Sequence, residues 1–214
     1  MPESKAAKTA RTEKVLDLLA KQMPDVRSAL VYDDALQLLV AVILSAQCTD
    51  AVVNQVTPAL FAKCKRAADY VQLGANGIEP FIKRVGLFHT KAKNIAAAMR
   101  TLEEQHGGGV PRDRQALEAL PGVGRKTAGV VLSNAFDIPA LPVDTHVGRV
   151  ARRLGLSRNT NPDKVEADLC ALIPPERWGK AHHLLIWHGR RTCDARAPKC
   201  AVCVVTELCP KRGV

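Results

Sequence analysis

Long hydrophobic runs, aromatic side chains and acidic residues are all in short supply in this sequence of 214 residues. The longest apolar run, residues 38–44, is too short to cross a bilayer, and the charged segment 1–14 lacks the apolar core of a signal peptide. We therefore expect no membrane association and a cytoplasmic location. Because only 4% of the residues are aromatic while 47% are hydrophobic, Ala, Val and Leu must supply most of the core, which favours closely packed helices.

Acidic residues are outnumbered by basic ones, 21 against 31, which leaves a formal net charge of +10 and a pI of about 9.5. A basic protein of this size gains affinity for a polyanion because each phosphate that it neutralises releases condensed counterions. Charge alone does not separate nucleic-acid binding from the surface of an ordinary basic protein. Both interpretations stay open on composition.

Alternating strand patterns and low-complexity stretches are absent, whereas apolar residues recur at helical spacing along much of the chain. The spacing predicts an all-α fold with a basic, frayed tail over residues 1–12 and glycine-rich breaks at 74–77 and 107–109. After Phe136 prolines and arginines become frequent, which indicates a domain boundary. The predicted helices cover residues 12–22, 35–47, 78–85, 90–105 and 114–120, and a further helix begins after a cap at Thr49 or Asp50.

The stretch 120–128, Leu-Pro-Gly-Val-Gly-Arg-Lys-Thr-Ala, predicts two helices joined by a tight turn. Pro121 ends the first helix, and Gly122 and Gly124 allow a positive φ or a close backbone approach. Backbone N–H groups at the start of the second helix can then bind one anion, for which a DNA phosphate is the natural candidate. An ordinary helix–helix turn is the alternative that the glycines alone would favour.

The seven cysteines are odd in number and concentrated near the C-terminus, which is a poor disulfide framework and a good metal pattern. Intervals of six, two and five residues separate the last four, Cys193, Cys200, Cys203 and Cys209. Four thiolates within such a span can bind Zn²⁺ or a [4Fe–4S] cluster, and the spacing does not choose between them. The others lie in apolar helical contexts and are predicted to be buried thiols: Cys48, Cys64 and Cys170.

Residues 141–150, Leu-Pro-Val-Asp-Thr-His-Val-Gly-Arg-Val, begin a helix at which Asp144 is placed to act as the N-cap. This segment resembles the Val-Asp-Thr-His signature of the endonuclease III family of DNA glycosylases. The hairpin with Lys126 in its first helical turn and the cysteine intervals resemble the same family, and the resemblance extends over about residues 15–210. Each motif is weak to moderate alone, and the combination is specific.

The resemblance implies that Lys126 is the catalytic nucleophile and Asp144 the second catalytic residue. An attacking amine must be neutral, and the helix N-terminus and Arg125 favour that form by placing positive charge beside Lys126. The apolar helix around Lys126 predicts that it is also buried. A carboxylate at Asp144 would stabilise the oxocarbenium character that the sugar gains as the base leaves. The plainer alternatives are a solvated lysine that contacts phosphate and an aspartate that only caps its helix.

The same resemblance assigns a [4Fe–4S] cluster to the four C-terminal cysteines. The loop between the first two ligands carries Arg196 and Lys199, which then become candidates for contact with the DNA backbone. Simple solvation of an exposed loop is the alternative for both.

Gln47 and Leu87 correspond to family side chains that fill the gap left in the duplex by an extruded nucleotide. An apolar wedge unstacks bases, and an amide can pair with the orphaned base edge. A helix C-terminal cap is the alternative for Gln47, and a core leucine for Leu87. Ser45 and Asp50 are expected to line the base pocket.

The fold implied by the resemblance has two helical domains with a DNA-binding groove between them, in which Lys126 and Asp144 face each other. Residues 28–138 would form a helical barrel-like domain with the hairpin, and residues 1–27 and 139–214 a discontinuous cluster domain. We expect a monomeric base excision repair enzyme, a DNA glycosylase with lyase activity. It would remove oxidised pyrimidines from double-stranded DNA through a lysine Schiff base and nick the strand by β-elimination.

Two positions depart from the family pattern, and three other functions compete with this one. Cys48 stands where a small alanine-like residue is expected, and Arg191 stands where relatives often carry an aromatic. An adenine glycosylase is disfavoured because those relatives lack a lysine at position 126 and usually carry an additional C-terminal domain. A DNA-binding module without catalysis and an electron-transfer protein are the alternatives outside that class.

Overall fold

The computed structural model describes residues 3–214, and within that range every regular element is a helix. The prediction of an all-α fold is confirmed. Three short 3-10 turns accompany the α-helices, at Pro175–Arg177, Cys200–Val202 and Thr206–Leu208. The helices are α1 (Lys5–Gln22), α2 (Ala35–Ser45), α3 (Asp50–Lys63), α4 (Ala67–Ile82), α5 (Phe88–His106), α6 (Arg114–Glu118), α7 (Arg125–Ala135), α8 (Thr145–Arg153), α9 (Pro162–Cys170) and α10 (Trp178–Arg191).

The helices divide into two compact units. Ser28–Ile138 forms one, which we call the hairpin unit because it contains the turn between α6 and α7. The described part of Met1–Arg27 together with Pro139–Val214 forms the other, which we call the cysteine-loop unit because it ends in the four clustered cysteines.

The hairpin unit is built around α2, in which every residue from position 37 to position 44 is buried. Helices α3, α5 and α7 all pack against α2, and α4 packs against α5. Asp34 caps the start of the helix, because its carboxylate accepts a hydrogen bond from the Gln37 N–H. A helix buried on most of its sides must be apolar throughout, and the sequence over 38–44 satisfies that condition.

The cysteine-loop unit places α10 at its centre, with α1 and α8 packed against it and α9 packed against α8. Its core is aliphatic, formed by residues such as Leu16, Leu19, Val147 and Leu185, each at most 1% exposed. The apolar stripe of α8 faces this core, while the arginines of the same helix reach the cysteine loop.

The structure corrects the N-terminal prediction. The segment predicted to be frayed is helical from Lys5, because Ser4 caps the helix by accepting a hydrogen bond from the Ala7 N–H. Its basic side chains are also engaged: Arg11 donates to the carbonyl oxygens of Leu154 and Leu208. The frayed prediction for residues 1 and 2 lies outside the described residues.

Further differences concern elements that the spacing did not reveal. Helices α9 and α10 were not predicted, and no element was predicted for the first half of α4. The glycine-rich break proves to be a single kink at Gly74, where φ is +64° and ψ 172°, with helix on either side. Glycine is the residue that adopts this conformation without strain. Within residues 3–214 no helix is long and apolar enough to span a membrane.

Candidate functional site

The turn between α6 and α7 is anchored by its apolar residues and exposed at its glycines. Leu120 and Val123 are 2% and 6% exposed, and the Val123 N–H donates to the Leu120 carbonyl oxygen at 3.0 Å. Gly122 has a φ of +79°, and a Cβ there would lie 2.9 Å from the Cβ of Asn94 on α5. Glycine is therefore required at position 122 for two reasons: the backbone has a positive φ, and a Cβ would come too close to Asn94.

Gly124 serves a different purpose from Gly122. Its φ of −100° is available to any residue, and nothing lies within 4 Å of the position that a Cβ would take. It is the N-cap of α7 and has no side chain with which to bond the first-turn N–H groups. An uncapped, open helix N-terminus of this kind is suited to bind a phosphate by close backbone approach.

Lys126 lies in the first turn of α7, and its side chain is exposed. The prediction that it is buried is wrong, because α7 buries the opposite face, which carries Ala128, Gly129, Val131 and Leu132. An exposed primary amine beside an anion-binding helix start can reach a sugar whose phosphate occupies that helix start. The exposure therefore suits a nucleophile that acts on a macromolecular substrate.

Asp144 caps α8 in the cysteine-loop unit. Its Oδ1 accepts a hydrogen bond from the Val147 N–H at 2.8 Å, and its side chain is half-buried. The N-cap alternative thus describes the local structure correctly. The cap also fixes the carboxylate at the positive end of the helix and leaves acceptor capacity on the group for a substrate or a proton. Whether Asp144 takes part in catalysis stays a prediction.

His146 follows Asp144 by two residues, on α8. Its Nδ1 lies 3.2 Å from an Nη2 of Arg149.

Gln47 and Leu87 lie on two neighbouring loops of the hairpin unit. Both are exposed, Leu87 by 62%, and both have a left-handed backbone, with φ of 53° and 59°. A Cβ on Gly86 would lie 3.9 Å from the Gln47 carbonyl oxygen, which shows how close the loops are. Leu87 is thus not a core residue, and the C-cap of α2 is Ala46 rather than Gln47.

Lys91 connects these two loops, and the sequence analysis missed it. This lysine of α5 is only 4% exposed, and its Nζ donates to the carbonyl oxygens of Leu44 and Ala46 at 2.8 and 2.6 Å. Burial lowers its pKa, while the nearby Cys48 thiol group acts in the opposite direction. A lysine in the sequence Thr-Lys-Ala-Lys gives no local signal of burial, which explains the omission.

The two residues predicted to line the base pocket are both half-buried. Ser45 ends α2, and its Oγ donates to the Val42 carbonyl oxygen at 2.8 Å. Asp50 lies in the first turn of α3, which Thr49 caps by accepting from the Val52 N–H. Ser45 and Asp50 therefore flank the Gln47 loop, one on each side, and their role in base recognition stays a prediction.

The four C-terminal cysteines line one cavity of the cysteine-loop unit. Burial raises the pKa of both Cys203 and Cys209, and Cys193 and Cys200 are close enough to contribute to each shift. No three His, Cys, Asp or Glu side chains within residues 3–214 are placed to hold a metal ion, and no disulfide joins cysteines in that range. Four thiols that line one cavity are nevertheless the donor type of a metal centre that deprotonates its ligands, so the chemistry of these residues fits such a group although no three of them are drawn together in the described residues.

Two arginines of α8 hold the start of the cysteine loop. Arg153, 8% exposed, donates to the carbonyl oxygens of Asp194 and Ala195, and its Nη1 lies 3.6 Å from the Cys193 Sγ. Arg149 donates through Nε to the Cys193 carbonyl oxygen at 3.1 Å. The sequence analysis assigned no role to these arginines, because their partners lie 40 or more positions away.

Residues around the cysteines complete this site. His188 is buried on α10, with its Nε2 3.9 Å from the Cys203 Sγ, and burial lowers its pKa to about 4, so that it is neutral at pH 7.

Arg196 and Lys199 are exposed on the loop between the first two cysteines. Arg191, one of the two departures, stacks its guanidinium 4.5 Å above the Trp187 ring.

Of the three cysteines predicted to be buried, only Cys64 is. Cys48 and Cys170 are half-buried. Cys48 lies in the turn between α2 and α3, where its N–H donates to the Ser45 carbonyl oxygen, and not within a helix.

The combination of an all-α fold, a glycine hairpin, a first-turn lysine and a four-cysteine loop is typical of one class of DNA-binding repair proteins. Residues 40–175 match the family described as HhH-GPD superfamily base excision DNA repair protein, and the chain belongs to this family. Among curated proteins it is similar to endonuclease III of Bacillus subtilis (strain 168), 48% identical over 91% of this chain and 89% of the relative. It is also similar to endonuclease III of Escherichia coli (strain K12), 44% identical over 94% and 95% of the two chains.

Solved structures show the same relationship. A trapped endonuclease III–DNA covalent intermediate, in an estranged-adenine complex, matches with a TM-score of 0.90 and 45% identity, over 95% of this chain and 96% of that chain. A thermostable thymine-DNA glycosylase matches with a TM-score of 0.83 and 27% identity, over 97% and 98%. The helix-hairpin-helix glycosylase fold predicted for this sequence is therefore confirmed.

The two hairpin glycines should respond differently to substitution by alanine. Gly122→Ala is expected to lower the free energy of unfolding by about 1–2 kcal/mol, because Ala at positive φ is strained and its Cβ meets Asn94. Gly124→Ala should cost less, about 0.5 kcal/mol, because Gly is a better N-cap than Ala, but should weaken DNA binding by obstructing the phosphate. Chemical denaturation measures the free energy of unfolding of each variant, and titration measures its affinity for DNA. Equal destabilisation by the two variants would contradict this account.

Proposed function

We propose that this protein is a bifunctional DNA glycosylase and AP lyase that removes oxidised pyrimidines from double-stranded DNA in base excision repair. The observation that carries the proposal is the exposed amine of Lys126 at the uncapped N-terminus of α7, in a chain of the HhH-GPD family. The proposed substrate class rests on similarity to endonuclease III, since no pocket residue by itself selects a pyrimidine lesion.

The backbone N–H groups of the α7 start would hold a DNA phosphate and so place the sugar beside Lys126. Extrusion of the damaged nucleotide costs a few kcal/mol, which insertion of Gln47 and Leu87 into the vacated space would offset. Both side chains are exposed and therefore available for this contact. Arg196 and Lys199 would neutralise further phosphates from the exposed cysteine loop.

The proposed chemistry begins when the neutral amine of Lys126 bonds to C1′ and the glycosidic bond breaks. The base departs with the electron pair and takes up a proton, and the amine loses one. Asp144 would stabilise the positive charge on the sugar and accept the proton. The sugar ring then opens: the nitrogen lone pair forms the protonated Schiff base as the C1′–O4′ bond breaks, and O4′ takes up the proton that Asp144 would return. Loss of a proton from C2′ breaks the C3′–O bond and nicks the strand, and water finally releases Lys126.

Borohydride trapping tests the Schiff base and its position. On a duplex that contains one oxidised thymine, the native chain should give a covalent adduct and Lys126→Ala should give none, because reduction needs the imine. Lys126→Arg is the matched control, since it keeps the positive charge at the hairpin but cannot form the imine. A native chain that binds the duplex and yields no adduct would indicate a monofunctional glycosylase or a binding module instead.

Asp144 has to be tested without removing its helix cap. Asp144→Asn should retain stability and DNA affinity, since Asn and Asp cap equally well, and should lose base release by about 100-fold or more. Asp144→Ala should lose base release and in addition about 1 kcal/mol of stability. Single-turnover kinetics and thermal unfolding separate the two effects. Base release by Asp144→Asn at the native rate would reduce Asp144 to a structural cap.

We also propose that Cys193, Cys200, Cys203 and Cys209 hold a [4Fe–4S] cluster. When bound, the cluster would cross-link the 193–209 loop and keep its thiolates deprotonated. The support is the set of four thiols around one cavity and the two arginines that fix the first ligand's loop. The cysteine intervals also resemble those of the endonuclease III family, and the chain is similar to endonuclease III over most of its length.

Iron content and absorption test the metal. The purified protein should be brown, absorb in the visible charge-transfer region and contain about four iron atoms, as expected for that cluster. Cys203→Ser should lower both the iron content and the absorbance, whereas Cys64→Ser, which changes a cysteine of the hairpin unit, should leave them unchanged. A colourless native protein with one zinc would contradict the cluster.

Two further parts of the proposal concern the state of the protein. We propose that it acts as a monomer, because one copy carries the hairpin, the lysine, the carboxylate and the cysteine loop. We propose a cytoplasmic location, in contact with the chromosome, because a four-thiol metal centre is best preserved in a reducing compartment.

A further inference from the structure

The two exposed side chains on the loops of the hairpin unit have a backbone conformation that few residues adopt. Gln47 and Leu87 have φ of 53° and 59°, and a left-handed leucine is rarer than a left-handed asparagine or aspartate. Such strain persists where the surrounding structure imposes it. Leu87 is 62% exposed, so its own side chain has little packing to hold it in place. Something else must fix both loops.

Lys91 makes the contacts that hold them. Its side-chain ammonium donates to the carbonyl oxygens of Leu44 and Ala46, the second of which immediately precedes Gln47. Its backbone N–H donates to the Leu87 carbonyl oxygen at 3.0 Å, in the first turn of α5. The backbone bond to Leu87 belongs to the first turn of α5 and does not depend on the side chain, so the contribution of the lysine itself is to tie the end of α2, next to Gln47, to the helix turn that follows Leu87.

The position of the Lys91 ammonium explains why a charged side chain, and not an apolar one, lies at this place. The last carbonyl groups of α2 have no partner within the helix and carry its partial negative charge. A cation that donates up to three hydrogen bonds satisfies two of them at once, which an apolar side chain cannot do. Burial of a charge is costly, and the Lys91 side chain is 4% exposed, so contact with a DNA phosphate does not account for it.

We propose that Lys91 is a positioning residue that fixes the spacing and orientation of Gln47 and Leu87, so that both enter the duplex together. This inference rests on the proposed function, in which these two side chains fill the space left by the extruded nucleotide. Lys91 touches neither the substrate nor the reacting atoms in this scheme. It acts through the two loops that it joins.

The experiment monitors the orphaned base directly. A duplex carries a tetrahydrofuran abasic analogue, which cannot form an imine, opposite 2-aminopurine, whose fluorescence rises when it unstacks. The native chain at saturation should raise the fluorescence, and Lys91→Met should raise it clearly less. Base release from an oxidised thymine should fall about ten- to a hundredfold in kcat/KM, as expected when a reacting group is misplaced by about 1 Å. Affinity for undamaged duplex should stay within about twofold, because the phosphate contacts remain.

Lys93→Met is the matched control, because Lys93 lies two residues further along α5, is exposed, and its loss changes the net charge equally. It should behave as the native chain does in the fluorescence assay. If Lys91→Met does not fold, as judged by circular dichroism and thermal unfolding, Lys91→Gln replaces it, since the amide keeps a donor for one of the two carbonyl groups. A fluorescence signal from the Lys91 variant equal to that of Lys93→Met would overturn the proposal.

A double-mutant comparison separates positioning from general stability. If Lys91 acts through the two loops, Lys91→Met should change kcat/KM by less than about twofold in a Gln47→Ala, Leu87→Ala background. An equal loss in both backgrounds would show a merely structural role and overturn the inference. Failure of the proposed function would give a different result, because the native chain itself would then form no borohydride adduct on damaged DNA.

Discussion

The unpaired backbone groups at helix ends are the constraint on which the functional parts of this protein depend. Each α-helix leaves several N–H groups at its start and several carbonyl groups at its end without a partner inside the helix. The start of α7 is left uncapped by Gly124, with Lys126 beside it, whereas the start of α8 is capped by Asp144. Both residues of the proposed chemistry therefore lie where a helix dipole is positive and where anionic groups are stabilised.

Buried and half-buried cations perform the complementary task at the carbonyl ends. Lys91 satisfies the end of α2, while Arg149 and Arg153 satisfy carbonyl groups at and beyond the end of α10. Each of these side chains joins two segments far apart in sequence, and each segment carries residues of the proposed site. An apolar residue would be less costly to bury but could not bond the carbonyl groups, so the charge determines loop geometry as well as contributing to stability.

The exposure of Lys126 changes how its reactivity should be understood. The sequence suggested a lysine buried in an apolar helix, yet the buried face of α7 is the opposite one. Lys126 lies at the positive end of the α7 dipole and next to Arg125 in the sequence. Bound DNA would then exclude water from a group that the protein alone leaves exposed, which suits an enzyme whose substrate covers its site.

Short-range patterns determined the helical class, the hairpin, the Asp144 cap position and the four-cysteine loop, because each depends on residues within a few turns of one another. The start of α1 at Lys5 and the two helices of residues 162–191 were missed where the local signal was weak. Only the tertiary structure decided which lysine is buried: Lys91 and Lys93 are two positions apart in similar sequence, and one is enclosed while the other is exposed. Burial depends on which face of α5 meets α2, and that contact joins residues more than forty positions apart.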